Sequence, residues 1–247
     1  MTMTLLLIDG DIIAYKASAS AETPIDWGDG LWTLHSHEVD VAIRIKEQID
    51  KLLNEAPVQD CIVALSDKEN FRKKIAPYYK ANRSNVRKPM LLSWARSYII
   101  GKYNTIIYKG LEADDVLGIL GTANKDTIIW SEDKDLQTIP ALHWINREVV
   151  EIGEVEADHN FFIQTLTGDA TDNYKGCPSV GAKTAEKILE FGDGWGAVVR
   201  AYISKGLSEE VALENARLAR ILRNGEYDTD TGEVTLWNPD TKAMKII

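Results

Sequence analysis

The sequence is short of sulfur, of histidine and of long apolar runs. Two cysteines, Cys61 and Cys177, stand in 247 residues without a CxxC spacing. That argues against a disulfide framework and points to a reducing, cytoplasmic setting. The four histidines pair with no other ligand type, and no Ser-His-Asp or Cys-His arrangement stands out. The first apolar run, residues 5–8, closes on Asp9 and is too short for a signal-peptide core. No run approaches the roughly 18 apolar residues of a membrane span. No repeat or low-complexity tract appears. The chain is long enough for one large domain or two intimate ones.

Acid is abundant, with a net charge of −10, and it is clustered. Asp9, Asp67, Glu112/Asp114/Asp115, Asp133/Asp135 and Asp169/Asp172 form five short segments at expected strand ends, helix starts or turns. Carboxylates gathered in a low-dielectric site repel one another unless cations bind there. All-oxygen ligands favour a hard divalent ion, Mg²⁺ or Mn²⁺, over zinc or copper. Base is clustered too. From Lys68 to Lys102 the only acid is Glu69, against Lys68, Arg72, Lys73, Lys74, Lys80, Arg83, Arg87, Lys88, Arg96 and Lys102. A basic segment beside an acidic basin can steer a polyanion by its phosphates. The blander reading is a solvated helix face, which would fit better with acids interleaved.

Short apolar runs at 4–8, 61–65, 105–108 and 127–130, and a weaker one at 143–145, read as strands. Helical periodicity fills 39–53, 91–100 and 113–121. Alternation of the two predicts an α/β fold with a largely parallel sheet covered on both faces. Most of the acids then lie along the carboxyl edge of that sheet, where such folds build their sites. Beyond about residue 155 helices near 160–166, 182–191 and 208–222 suggest a helical region, with a short strand at 233–237. The expected division is an α/β core over 1–155 and a helical region with a tail over 156–247.

Asp9 closes a buried strand and is read as a metal ligand. Asp11 reads either as the cap of the following helix or as an outer metal contact. Glu112, Asp114 and Asp115 exceed what helix capping needs. Asp133 and Asp135, two apart in an extended or turning chain, can both face one side, with Glu132 and Lys134 turned to solvent. Asp169 and Asp172 fit one helical turn or an Asx-rich loop. The glycine-rich stretch 176–184 fails as a P-loop, because Ala182 separates Gly181 from Lys183. It reads as a hairpin joining two helices, whose Gly176 and Gly181 let backbone N–H groups and Thr184 approach a DNA phosphate, flanked by Lys183 and Lys187. A plain helix–turn–helix connection is the alternative. Aromatics and cations from Phe71 to Arg83 suit stacking on unpaired bases, with Arg72 and Lys80 placed to stabilise charge at a scissile phosphate.

These residues together resemble the 5′ nucleases of the flap endonuclease family, most closely the short stand-alone 5′–3′ exonucleases of tailed bacteriophages. The resemblance is carried in order by Asp9-Gly10, Ser66-Asp67, Phe71-Arg72, Tyr79-Lys80-Ala81-Asn82-Arg83, Leu111 to Asp115, Asp133 to Asp135, Thr167 to Asp172 and the 176–184 hairpin. It implies a PIN-like core with a helix–hairpin–helix-type region at about 160–192, and an arch or clamp at about 68–102. It also implies two divalent ions on the nine carboxylates and hydrolysis of DNA from 5′ ends or at flaps, with RNA of RNA–DNA hybrids as a further substrate. Lys80 and Arg72 would contact the reacting phosphate, Tyr79 would stack on a terminal base, and the hairpin would hold K⁺ through its carbonyls. A monomer working with replication proteins in a bacterial host's cytoplasm is expected. The rivals are a phosphatase with an aspartyl nucleophile at Asp9 or Asp11, and a DNA-binding module without catalysis.

Overall fold

Leu6, Leu7 and Ile8 are wholly buried, because the strand that carries them is central and covered on both faces. The computed structural model describes residues 4–190 and 192–240. Its first half runs β1 (Leu5–Asp9), α1 (Gly10–Ser20), a hairpin of β2 (Thr23–Asp26) and β3 (Trp32–His35), α2 (Glu38–Glu55), β4 (Asp60–Ala64) and the single turn α3 (Arg72–Ile75). There follow α4 (Leu92–Lys102), β5 (Thr105–Ile106), α5 (Ala113–Ala123), β6 (Thr127–Trp130), β7 (Leu142–Ile145) and β8 (Glu148–Glu151). Four helices complete the order: α6 (Glu154–Thr167), α7 (Ala182–Glu190), α8 (Trp195–Ser204) and α9 (Glu209–Ala219).

The main sheet has the order β5-β4-β1-β6-β7-β8, with every neighbouring pair parallel except β7 and β8. The expected α/β fold is present. One face buries Ile13, Ala17, Ile45 and Ile49 of α1 and α2 with Ala95 and Ile99 of α4. The other buries Val116 and Leu117 of α5. Because β1 lies between β4 and β6, the ends of all three converge at the sheet's carboxyl edge.

Several expectations are corrected. The strand at 105–108 pairs over only two residues, and that at 233–237 shrinks to one bridge, Tyr227 with Val234. Helix α7 was expected to reach residue 191, which lies outside the described residues. The basic stretch 68–102 is no continuous arch: α4 is part of the core through Ala95 and Ile99. The tail packs on both regions: Trp237 sits against Phe161 and Trp195 of the helical region, while residues before it reach the core. Ile221 and Leu222 pack into the α5 face of the sheet. They reach it at Gly118, where a Cβ would come 2.3 Å from the Leu222 carbonyl oxygen. No described helix is long and apolar enough to cross a membrane.

Candidate active site

Asp9 ends β1 and caps α1. Its Oδ1 accepts from the backbone N–H groups of Asp11 (3.1 Å) and Ile12 (3.2 Å), and its Oδ2 from Ser131 Oγ (2.9 Å). The capping role offered to Asp11 thus belongs to Asp9. Asp11 instead pairs with Arg96 and accepts from the Ser66 N–H at 3.1 Å. Burial, with the neighbouring Asp133 and Glu132, pushes the Asp9 carboxyl up to about 6, against the bonds from Ile12 and Ser131.

The start of α5 divides its acids. Glu112 is the N-cap, and Ser66 Oγ accepts from the Ala113 N–H at 2.9 Å. Asp115, wholly buried, takes a two-pronged pair from Arg72 at 2.7 Å on each oxygen, plus the N–H groups of Leu222 and Glu112. Its four donors leave no lone pair for an ion, so Asp115 is corrected from metal ligand to anchor. Arg72 is corrected with it. Only 3% exposed, it also donates to the carbonyls of Leu218 (3.0 Å) and Arg220 (2.5 Å) and reaches Glu112 Oε2 at 3.3 Å. No donor is left for a phosphate.

Lys80 is placed otherwise. Its backbone is left-handed, with φ of 56°, and its N–H donates to the Asp172 carbonyl at 2.9 Å. The ammonium pairs with Glu112 and lies 3.5 Å from Asp172 Oδ2. Burial lowers its pKa, but Glu112, Asp172 and Asp114 outweigh that and hold it above the ordinary lysine value. Burial raises Glu112, yet Lys80 and Arg72 bring it down to about 2. Asp114 is raised by burial and then by Asp9 and Glu112, which outweigh the opposing pull of Lys80.

Tyr79 is 3% exposed, with its hydroxyl 2.7 Å from Asp172 Oδ2 and 3.0 Å from Glu112 Oε2. A buried ring cannot stack on a base, so that expectation is corrected. Arg83 donates to Asp172 Oδ1 (2.5 Å) and to the Thr171 carbonyl (3.0 Å), and remains partly exposed. Asp169 and Asp172 do not share a helical turn. Asp169 pairs with Tyr174 in an antiparallel bridge, and its Oδ1 accepts from the Thr171 N–H. Gly176 serves this turn rather than a phosphate: its φ is 63°, and a Cβ would come 2.3 Å from the Gly168 nitrogen. Gly181, Lys183, Thr184 and Lys187 are exposed at and after the start of α7. Asp67 turns away, its Oδ2 accepting from the Gly110 N–H at 2.7 Å, and its place beside the cleft is taken by Ser66.

The remaining carboxylates meet. A cleft of about 1020 Å³ is lined by Asp9, Glu112, Asp114, Asp133, Asp135, Asp169 and Asp172, together with Lys80. Glu132, expected to face solvent, is exposed at the rim of the cleft and pairs with Lys16 at 2.6 Å. After Asp133 the chain winds into a 3₁₀ turn over Lys134–Thr138. Burial, then Asp133 and Asp169, raise Asp135 to about 6. Among the described residues no three acids, histidines or cysteines already close on one point as ligands. Lys80 and Arg83 do part of the neutralising instead. The lining contains no histidine or cysteine, so its oxygen donors suit a hard divalent ion. Ser66, Ser131 and Arg96 were not expected. The serines' position within two residues of the ends of β4 and β6 is the one signal that could have found them.

Residues 4–166 match the family described as 5′-3′ exonuclease, N-terminal resolvase-like domain. An exodeoxyribonuclease of Enterobacteria phage T3 is 26% identical over 95% of this chain and 93% of its own. An exonuclease of Escherichia phage T7 is 27% identical over the same shares. A T5 5′-exonuclease solved with divalent zinc ions shares the fold, with a TM-score of 0.66 at 18% identity, covering 87% of this chain and 88% of that one. The chain is therefore a nuclease and belongs to the 5′–3′ exonuclease family.

Proposed function

We propose that this chain is a divalent-metal-dependent 5′–3′ exonuclease and flap endonuclease acting on DNA. The observation that carries the reading is the single cleft in which seven of the nine expected carboxylates line one wall system with Lys80. Asp9, Asp114 and Asp133 would hold one ion, and Asp135, Asp169 and Asp172 a second. Bound there, such ions supply a hydroxide nucleophile near neutral pH and stabilise charge on the attacking and leaving oxygens. The protein fixes the first group by anchoring: Asp9 is held by two backbone N–H groups and Ser131, so its orientation is set before anything binds. Lys80, charged and on the cleft wall, is the cation free to exchange a carboxylate for a phosphate oxygen. Arg83, Lys183 and Lys187 supply exposed charge for the backbone on either side.

The aspartyl-nucleophile reading is disfavoured, because Asp11 is held by Arg96 and the family match is to 5′-3′ exonucleases. The T5 flap endonuclease has been solved with DNA and metal ions, which accords with DNA as substrate. The finer features rest on the resemblance: a preference for magnesium or manganese, RNA–DNA hybrids, K⁺ at the hairpin, a monomer with replication partners, and a cytoplasmic setting.

End-labelled duplex and flapped DNA should be cut with Mg²⁺ and left intact with EDTA. Asp133→Asn should abolish cleavage while retaining DNA affinity. Turnover at the unmutated rate in that variant would overturn the assignment.

A further inference from the structure

Two polar atoms on the Asp135 side of the cleft have no task in the site so far described. The Tyr174 hydroxyl belongs to a residue only 2% exposed that lines the cleft, and it has no hydrogen-bond partner among the described residues. The Gln164 side-chain carbonyl, also on the cleft wall, is likewise buried and unpartnered. Leaving a buried hydroxyl or amide oxygen unpaired costs about 1–3 kcal/mol, so a retained pair in one place needs a reason.

Their surroundings supply it. Tyr174 exchanges both backbone hydrogen bonds with Asp169, at 2.9 and 3.0 Å. Residues paired that way in an antiparallel bridge send their side chains to the same face, which puts the phenol and the Asp169 carboxylate side by side. The ring is held from behind by Tyr79, stacked at 6.5 Å between centroids. Gln164 donates its amide N–H to Asp135 Oδ2 at 2.7 Å, which fixes its carbonyl oxygen beside the same carboxylate. A hard divalent ion sheds water reluctantly, and every water it keeps offers protons outward. Asp135 and Asp169 can take some of those protons, and a phenol oxygen and an amide oxygen are suited to take others.

We propose that Tyr174 and Gln164 are positioning residues for the second ion, accepting hydrogen bonds from waters that the ion retains between Asp135 and Asp169. The phenol can pass its own proton to a neighbouring carboxylate while accepting from water, so no acceptor in the group is left idle. This rests on the two-ion reading above.

The test is a Mn²⁺ titration of the full chain without DNA, counting bound ions by electron paramagnetic resonance. The unaltered protein should show two affinity classes. Tyr174→Phe should weaken the weaker class about tenfold, the worth of one lost hydrogen bond, and Gln164→Met, which also strips Asp135 of its amide donor, at least as much, both leaving the tighter class unchanged. Metal-free melting of Tyr174→Phe should be unchanged or higher, since an unpaired polar group has been removed. Unchanged Mn²⁺ affinities in both variants, with two ions still bound to the unaltered protein, would sink this inference alone. Fewer than two ions on the unaltered protein would remove the two-ion reading and this inference with it. Should one variant fail to fold, the other decides.

Discussion

Arg72 and Lys80 carry the same charge on adjoining turns, and their surroundings give them different work. Arg72 holds a buried carboxylate with two prongs and two carbonyls besides, a task that a single ammonium cannot repeat. Arg72→Lys should therefore cost about 3–5 kcal/mol of stability in urea unfolding, as expected when a buried pair is broken. Lys80→Ala should cost far less, because Glu112 keeps Arg72 and the Tyr79 hydroxyl. Its effect should fall on chemistry: single-turnover cleavage about 100-fold slower or more, with DNA affinity changed little. An Arg72→Lys variant as stable as the parent but inactive would reverse the two roles. Sequence showed both cations and both sets of acids. It could not show that residues 218–222 return to satisfy Arg72 and Asp115, because that contact joins segments far apart in the chain.

Among the elements, those read well were the ones buried on both sides. The runs of β1 and β6, and that of β4 apart from its exposed first residue, are nearly unbroken and apolar because both faces of the sheet are covered. The elements overlooked lack that signature. Strand β8 is exposed along its whole length and ends in glutamates, a protected edge rather than a core strand. The β2–β3 hairpin leaves Trp27, Leu31 and Trp32 in solvent, so its pattern marks no inside. Helix α8 is preceded by Gly192 and Gly194, which read as turn. The 168–176 turn was legible in part, as an Asx-rich loop, but not as a self-contact, in which two glycine backbones touch. Gly176→Ala should lose about 1–3 kcal/mol, since φ is positive and the space is filled. Mg²⁺ should then raise its melting temperature less than that of the parent, because Asp169 and Asp172 ride on the same turn. Melting with and without the ion checks both; a parent-like profile would show that the turn yields.

For the whole molecule, the gathered acids set a dependence on pH. Asp9 and Asp135 titrate near 6 in the fold, raised by burial and by neighbouring carboxylates, against about 4 in an unfolded chain. Between those values the folded state holds protons that the unfolded state has released. Stability of the metal-free protein should therefore fall as pH rises from about 4 to 6, and the raised Asp114 adds to the loss in the same direction. Glu112, drawn down to about 2, acts oppositely but only below about 4.5. Melting in EDTA should accordingly be higher at pH 5 than at pH 7. Added Mg²⁺ should raise it more at pH 7, where protons no longer compete for the oxygens. A metal-free protein that melts higher at pH 7 would contradict the crowding of these carboxylates.

The crossing of Leu222 over Gly118 has a consequence for how the chain can be divided. A cut just before Leu218 would strip Arg72 of two acceptors and Asp115 of a donor, and would unroof one side of the sheet. The helical half and the catalytic half are stitched by a seam that doubles back, so neither should survive excision at that joint.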